Sequence, residues 1–229
     1  MALYGIADLH LSFSADKPMD IYGPAWENHT ERLKQNWEEM IREEDTVIIA
    51  GDISWGLKLE EAMADLEWIH ELPGFKVMLK GNHDPWWTSI SKLNGLFDDM
   101  FFVQNSFYPY GDWAICGSRG WLCPGSSDFK AHDEKIYARE QLRLRASLDA
   151  ARKAGYEKII GALHYPPTND KMEMSAFVEI FNEYGVEQVV YGHLHGETKE
   201  TVPDMQMGGT NFSLIACDAL QCRPQLILR

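Results

Sequence analysis

Positive charge is in short supply along this 229-residue chain, where 21 Lys and Arg face 35 Asp and Glu for a net charge of −14. A surface of that sign repels polyanions, because nucleic-acid affinity rests largely on neutralised phosphates, so no nucleic-acid partner is expected. Cysteine is scarce too. Cys116, Cys123, Cys217 and Cys222 form no CxxC pair, which removes the commonest zinc-gripping and redox motifs and leaves reduced core thiols as the expectation. No run approaches the roughly 18 apolar residues that a membrane span requires. The opening MALYGIADLHL has neither a basic n-region nor a long apolar h-region, so a cytoplasmic protein with no membrane partner is expected. Repeats, low-complexity tracts and Gly/Ser- or Pro-rich linkers are also missing, and one domain covering residues 1–229 is expected.

What is present is the make-up of an ordinary globular protein, 45% hydrophobic and 12% aromatic, enough to fill a core without disulfide staples. Short apolar runs alternate with stretches of helical period, the pattern of strands joined by crossover helices, and this predicts an α/β fold. Strands are predicted at Leu3–Ala7, Thr46–Ala50, Phe75–Leu79, Phe101–Gln104, Trp113–Cys116, Lys158–Leu163, Gln188–Tyr191, near Phe212–Cys217 and at Gln225–Leu228. Helices are predicted at Glu31–Glu44, with Leu33, Trp37, Met40 and Ile41 on one face, at Lys58–Leu72, at Glu134–Ala154 ahead of Gly155, and at Met174–Tyr184. The glycine- and proline-rich segment from Asn105 to Asp133 reads mostly as functional loop around the strand at Trp113.

Five groups of metal-ligand residues each come directly after a predicted strand: Asp8 with His10, Asp52, then Asn82-His83-Asp84, then His164, and finally His193 with His195. Ligands of α/β sheets bind beyond the carboxyl ends of strands, so the five groups are expected to converge on one crevice. In the DxH and HxH pairs a spacing of two places both side chains on one side of an extended backbone, where they can grip a single ion. Asp52 offers a carboxylate able to bridge two ions, Asn82 a neutral oxygen, and the imidazoles suit Zn, Fe, Mn or Ni better than calcium. Gly51, Gly81 and Gly192 precede these ligands, where the absence of a side chain lets backbone approach closely. Any one motif alone arises often by chance; the five in order carry the reading. His29, His70 and His132 stand singly and are read as structural.

At these residues the sequence resembles the calcineurin-like metallophosphoesterases, whose ordered signature runs DxH, GD, GNH[DE], H and GHxH. The resemblance spans Asp8 to His195. It implies a four-layer sandwich of two mixed sheets flanked by helices, with a first divalent ion on Asp8, His10, Asp52 and His195 and a second on Asp52, Asn82, His164 and His193. It further implies that His83 lies just outside the metal shell near the leaving-group oxygen, with Asp84 orienting it. The chain departs from the protein serine/threonine phosphatases, whose longer GDxVDRG motif is here Gly51-Asp-Ile-Ser-Trp-Gly56, and from the lipid-A-pathway pyrophosphatases, which carry Arg where His83 stands. It is more similar to a bacterial group of predicted phosphohydrolases.

The implied chemistry is hydrolysis of a small phosphate mono- or diester by in-line attack of a hydroxide bridging the two ions, since a metal can lower the pKa of bound water from 15.7 to about 7. Arg119 is a candidate contact to a phosphate oxygen, with a structural ion pair as the alternative. Trp55, Trp86 and Trp87 either wall the pocket or pack beneath it. A nuclease and a non-catalytic metal-binding scaffold are the competing readings. The net charge speaks against the first and the complete ligand set against the second. Nothing in the sequence determines the oligomeric state.

Overall fold

The computed structural model describes residues 1–196 and 204–229. Strands β1 (Leu3–Ile6), β2 (Thr46–Ala50), β3 (Phe75–Leu79) and β4 (Met100–Phe102) run parallel, and β11 (Gln225–Leu228) adds antiparallel to β1, giving the order β11-β1-β2-β3-β4. A second sheet has the order β5-β6-β7-β8-β10-β9, from Phe107–Tyr110, Trp113–Ser118, Lys158–Leu163, Gln188–Tyr191, Thr210–Leu214 and Met205–Met207 respectively. Its four inner strands are parallel, while β5 and β9 are antiparallel edges.

The layering follows from burial. Val47, Ile48 and Ile49 are all fully buried although consecutive, because a parallel strand with both faces covered has no solvent side. Ile48, Val77, Ile115, Ile160 and Val190 fill the space between the two sheets. On the outer face of the first sheet, helices α1 (His29–Met40) and α2 (Leu59–His70) contribute Leu33, Trp37, Leu66 and Ile69 to a separate core. The second sheet is covered by α4 (Asp133–Lys153) and α5 (Ala176–Glu183), through Leu144, Leu148, Phe177 and Phe181. The result is helix, sheet, sheet, helix: the α/β sandwich that the resemblance implied.

The differences from the sequence prediction have local causes. The Asn105–Asp133 segment begins with a hairpin, β5 turning into β6 at Gly111 (φ 54°). Strand β5 escaped prediction because Pro109 interrupts it, and proline is tolerated only where a strand lies at an edge. Edge strand β9 and the single-turn helix α3 (Ile90–Leu93) are too short to carry a periodic signal. Helix α1 stops at Met40 rather than Glu44, because the Asp45 carboxylate accepts from the backbone N–H groups of Arg42 (3.0 Å) and Ala2 (2.6 Å) and pulls the chain into β2. The strand predicted to reach Cys217 ends at Leu214, where the chain leaves the ladder while Ala216 still bridges Ala7. No helix among the described residues is long and apolar enough to cross a membrane.

Candidate metal centre

Each ligand group stands where a parallel strand ends, and the two sheets bring those ends together. Asp8 and His10 follow β1, Asp52 follows β2, Asn82 follows β3, His164 follows β7, and His193 and His195 follow β8. Donor atoms of Asp8, His10, Asp52 and His195 all lie within 4.8 Å of one another, as do those of Asp52, His164 and His193. Asp52 belongs to both sets. Asn82 completes the second, its Oδ1 2.7 Å from Nε2 of His164.

The backbone here is under strain. Asp8 (φ 60°), His10 (φ 45°), Asp52 (φ 51°) and His193 (φ 74°) all occupy the left-handed region without being glycine. Such residues cost about 1–3 kcal/mol each and persist where the surroundings over-determine them, most often at functional sites. Close packing adds a second constraint. A Cβ on Gly81 would collide with the Asp52 backbone N and carboxylate, and one on Gly192 with the Asp8 carboxylate. Only glycine lets these loops lie against the acids.

Some of the polar atoms at the centre of the site have no hydrogen-bond partner. His164 donates its Nδ1–H to the Ala50 carbonyl at 3.0 Å, which leaves the Nε2 lone pair aimed at Asn82 Oδ1 and at Asp52 Oδ1, 3.4 Å away. His195 donates Nδ1–H to Asp218 at 3.3 Å, so its Nε2 lone pair meets His10 Nε2 at 3.2 Å. Asp8 Oδ1 and Asp52 Oδ2 are buried with no hydrogen-bond partner. Burial, followed by the charge of Asp52, holds Asp8 well above the usual carboxylate range, and burial also raises Asp52. Burial pushes His164 and His193 down to about 3 and His10 well below its ordinary value. These imidazoles are therefore neutral at physiological pH, the form that ligates metal. A pocket of converging acceptors with orphaned buried oxygens is costly unless cations occupy it, and carboxylate oxygens mixed with imidazole nitrogens suit a first-row transition metal.

The remaining predicted residues separate by environment. His83 is exposed and belongs to neither donor set; its backbone N–H donates to Asp52 at 2.7 Å, and its ring lies 4.5 Å from Trp55 and 5.8 Å from His10. Asp84 is fully buried and accepts from the amides of Gly81, Asp52, Ile53 and Ser54 and from the Trp86 indole. None of its hydrogen bonds among the described residues reaches the His83 ring, so it ties the β2 and β3 loops together. Burial and then the neighbouring Asp52 charge push it up to about 7 despite those donors. Arg119 places its guanidinium 4.4 Å over Trp121 and 3.6 Å from the buried Glu140, the ion-pair alternative.

Of the tryptophans, Trp55 stacks on His10 (4.9 Å, 22° between planes), whereas Trp86 and Trp87 pack in the helix-side core. Two residues escaped sequence reasoning. Trp26 sets its ring edge-on to His10 and His195 at 5.7 and 5.4 Å. Asp218, besides accepting from His195, accepts from the Gly196 amide at 2.8 Å. The available signal for Asp218 was its place just past β10, a further strand end. Carboxylates that orient ligating histidines are worth about 10–100-fold in metal affinity. We expect Asp218→Asn to weaken one of two Mn²⁺ equivalents by that factor in calorimetric titration; wild-type affinity at both would remove Asp218 from the centre.

One carboxylate shared between two sets of N/O donors, at the strand ends of two stacked mixed sheets, defines a metallophosphoesterase. The chain belongs to the calcineurin-like phosphoesterase family, which it matches over residues 1–197. It is 35% identical to the Gene 66 protein of Mycobacterium phage L5 over 78 residues, 34% of this chain and 37% of that protein. With the Gene 66 protein of Mycobacterium phage D29 it shares 34% identity over 95 residues, 40% of this chain and 46% of that protein. The chain thus matches less than half the length of these curated relatives. Among solved structures, TT1561 of Thermus thermophilus superposes with a TM-score of 0.63 at 10% identity, covering 99% of this chain and 97% of that one. Phosphopantetheinyl hydrolase (PptH) from Mycobacterium tuberculosis gives 0.58 at 16% identity, covering 99% and 95%. At these identities the likeness is one of fold.

Proposed function

We propose that this chain hydrolyses phosphate mono- or diesters of a small molecule with the help of two divalent ions, drawn from Mn, Fe, Zn and Ni. The observation that carries this reading is the convergence of two sets of carboxylate and imidazole ligand atoms on Asp52, with unpartnered buried oxygens on Asp8 and Asp52. Asp8, His10, Asp52 and His195 would hold one ion, and Asp52, Asn82, His164 and His193 the other. When bound, such ions polarise phosphoryl oxygens and acidify a water for in-line attack.

The chain's own residues supply the rest. The hydrogen bonds from His164 to Ala50 and from His195 to Asp218 hold each ring with Nε2 facing inward. Asp84 locks the Asp52 loop to the Asn82 loop. Trp26 and Trp55 pack against the His10 ring and would restrict water on that side. His83, exposed beside them, would give a proton to the departing ester oxygen. A phosphate contact from Arg119 would have to compete with Glu140 for the guanidinium.

A panel of p-nitrophenyl phosphate, bis-p-nitrophenyl phosphate, cyclic nucleotides and single- and double-stranded DNA, each with Mn²⁺, Zn²⁺ or Ni²⁺, tests the assignment. Metal-dependent release from at least one small ester, with DNA left intact, is the expected result. Cleavage of DNA that weakens steeply with salt would favour the nuclease reading, and inertness toward all phosphorylated compounds in a fully reconstituted sample would leave a metal-binding scaffold.

A further inference from the structure

Beside the metal centre a cavity of about 590 Å³ opens between the loop after β6, the segment after β7 and the end of β8. Its inner wall is His193 itself, with Tyr165, whose ring lies 4.1 Å from the His193 ring. Leu122, Met172 and Leu194 give the walls an apolar character. Among the described residues its only charged lining groups are Asp128 and Asp170, with no Lys or Arg. The guanidinium of Arg119, on the same loop after β6, is turned to Glu140 and Trp121. The far wall is pre-formed: Asn169 donates to the Pro124 carbonyl (2.9 Å) and accepts from the Lys171 and Glu173 amides, and Ser175 donates to the Pro167 carbonyl.

We propose that this cavity is a substrate subsite that takes an uncharged, largely apolar organic arm of the phosphate ester and rejects arms carrying a second anion. The inference rests on the phosphoesterase reading, which puts the phosphoryl group at the ligands bordering the cavity. A volume of this order suits an arm of drug-like size. A second phosphate or carboxylate within it would meet the exposed carboxylates of Asp128 and Asp170 with no Lys or Arg among the described lining residues, and like charges repel. Polyphosphorylated nucleotides are thus disfavoured by the same surface that admits a neutral chain.

The test has one arm without catalysis and one with it. Binding of 4-phenylbutanol and of 4-phenylbutyrate to the metal-free protein is followed by ligand-observed NMR. The alcohol is expected to bind at least about tenfold more tightly, a margin typical of a pocket tuned to one chemistry, and Asp128→Asn combined with Asp170→Asn narrows the gap. In the catalytic arm, kcat/KM for a 4-phenylbutyl ester is divided by that for the methyl ester, within the class, monoester or diester, that is turned over. Leu122→Trp, which fills the cavity, is expected to lower this ratio about tenfold or more. Met172→Glu, at an exposed rim position, lowers it in the same direction should the tryptophan variant fail to fold. Equal binding of alcohol and carboxylate, or a ratio unmoved by either variant, overturns the subsite. Selective binding of the alcohol in a protein that hydrolyses no ester shows an apolar ligand cavity and locates the failure in the phosphoesterase reading, which takes the substrate role of the cavity with it.

Discussion

Replacing Asp52 by Asn is expected to abolish the binding of two metal equivalents and to lower kcat/KM by about 10³-fold or more. Lewis-acid stabilisation by a metal is worth several kcal/mol, and each 1.36 kcal/mol is tenfold in rate. Asp52 is common to both donor sets, so its loss strikes both positions, whereas loss of His10 or His193 strikes one. The variant separates a metal defect from a folding defect by the sign of its effect on stability. In the metal-free protein the buried carboxylates of Asp8, Asp52 and Asp84 oppose one another, Asp52 raising both of the others. An uncharged amide at position 52 relieves that repulsion, so the metal-free variant is expected to melt no lower than the metal-free wild type. The wild type gains stability on adding Mn²⁺, since a ligand that binds only the folded state stabilises it, and the variant does not. Calorimetry with metal titration checks both halves; two metals bound at full occupancy by the variant would contradict the role given to Asp52.

His83→Ala is expected to do the opposite: metal binding and melting temperature stay as in the wild type while kcat falls by roughly 10²–10⁴-fold, the contribution of a positioned general acid. The separation follows from geometry. His83 is exposed, stands in neither donor set, and hydrogen-bonds Asp52 through its backbone N–H, which alanine retains. A proton donor matters most when the departing oxygen is a poor leaving group, so the loss should be larger for an alkyl ester than for a p-nitrophenyl ester, and added imidazole should restore part of it. A uniform loss across leaving groups, or none, would assign His83 to the pocket wall beside Trp55. Because the side chain is on the surface, no folding effect should obscure the comparison.

Much of this centre is legible in the sequence. The strands predicted at Thr46–Ala50, Phe75–Leu79, Lys158–Leu163, Gln188–Tyr191 and Gln225–Leu228 match end for end, and Leu3 and Trp113 open their strands as expected. Buried parallel strands announce themselves as unbroken Val/Ile/Leu runs, and turn glycines mark where they stop. Residues just past such a stop in a parallel sheet lie at the ligand-binding edge, which is why Asp8, Asp52, Asn82, His164 and His193 could be named from order alone. The edge strands β5 and β9 were not legible, since one carries a proline and both lack a buried face of useful length.

By itself, then, the chain determined its α/β class, its strand-end donors and its acidic surface, because these depend on local period, local turn chemistry and composition. Tertiary structure alone decided which donors lie within reach of one another, that Asp218 rather than a nearer acid holds His195, and that Trp26 and Trp55 rather than Trp86 and Trp87 face the site. It also turned Asp84 toward four backbone amides. Those outcomes depend on how two sheets stack across a common core, bringing together residues as far apart as His10 and His195, and no spacing along the chain encodes a distance between strands that never neighbour one another in sequence.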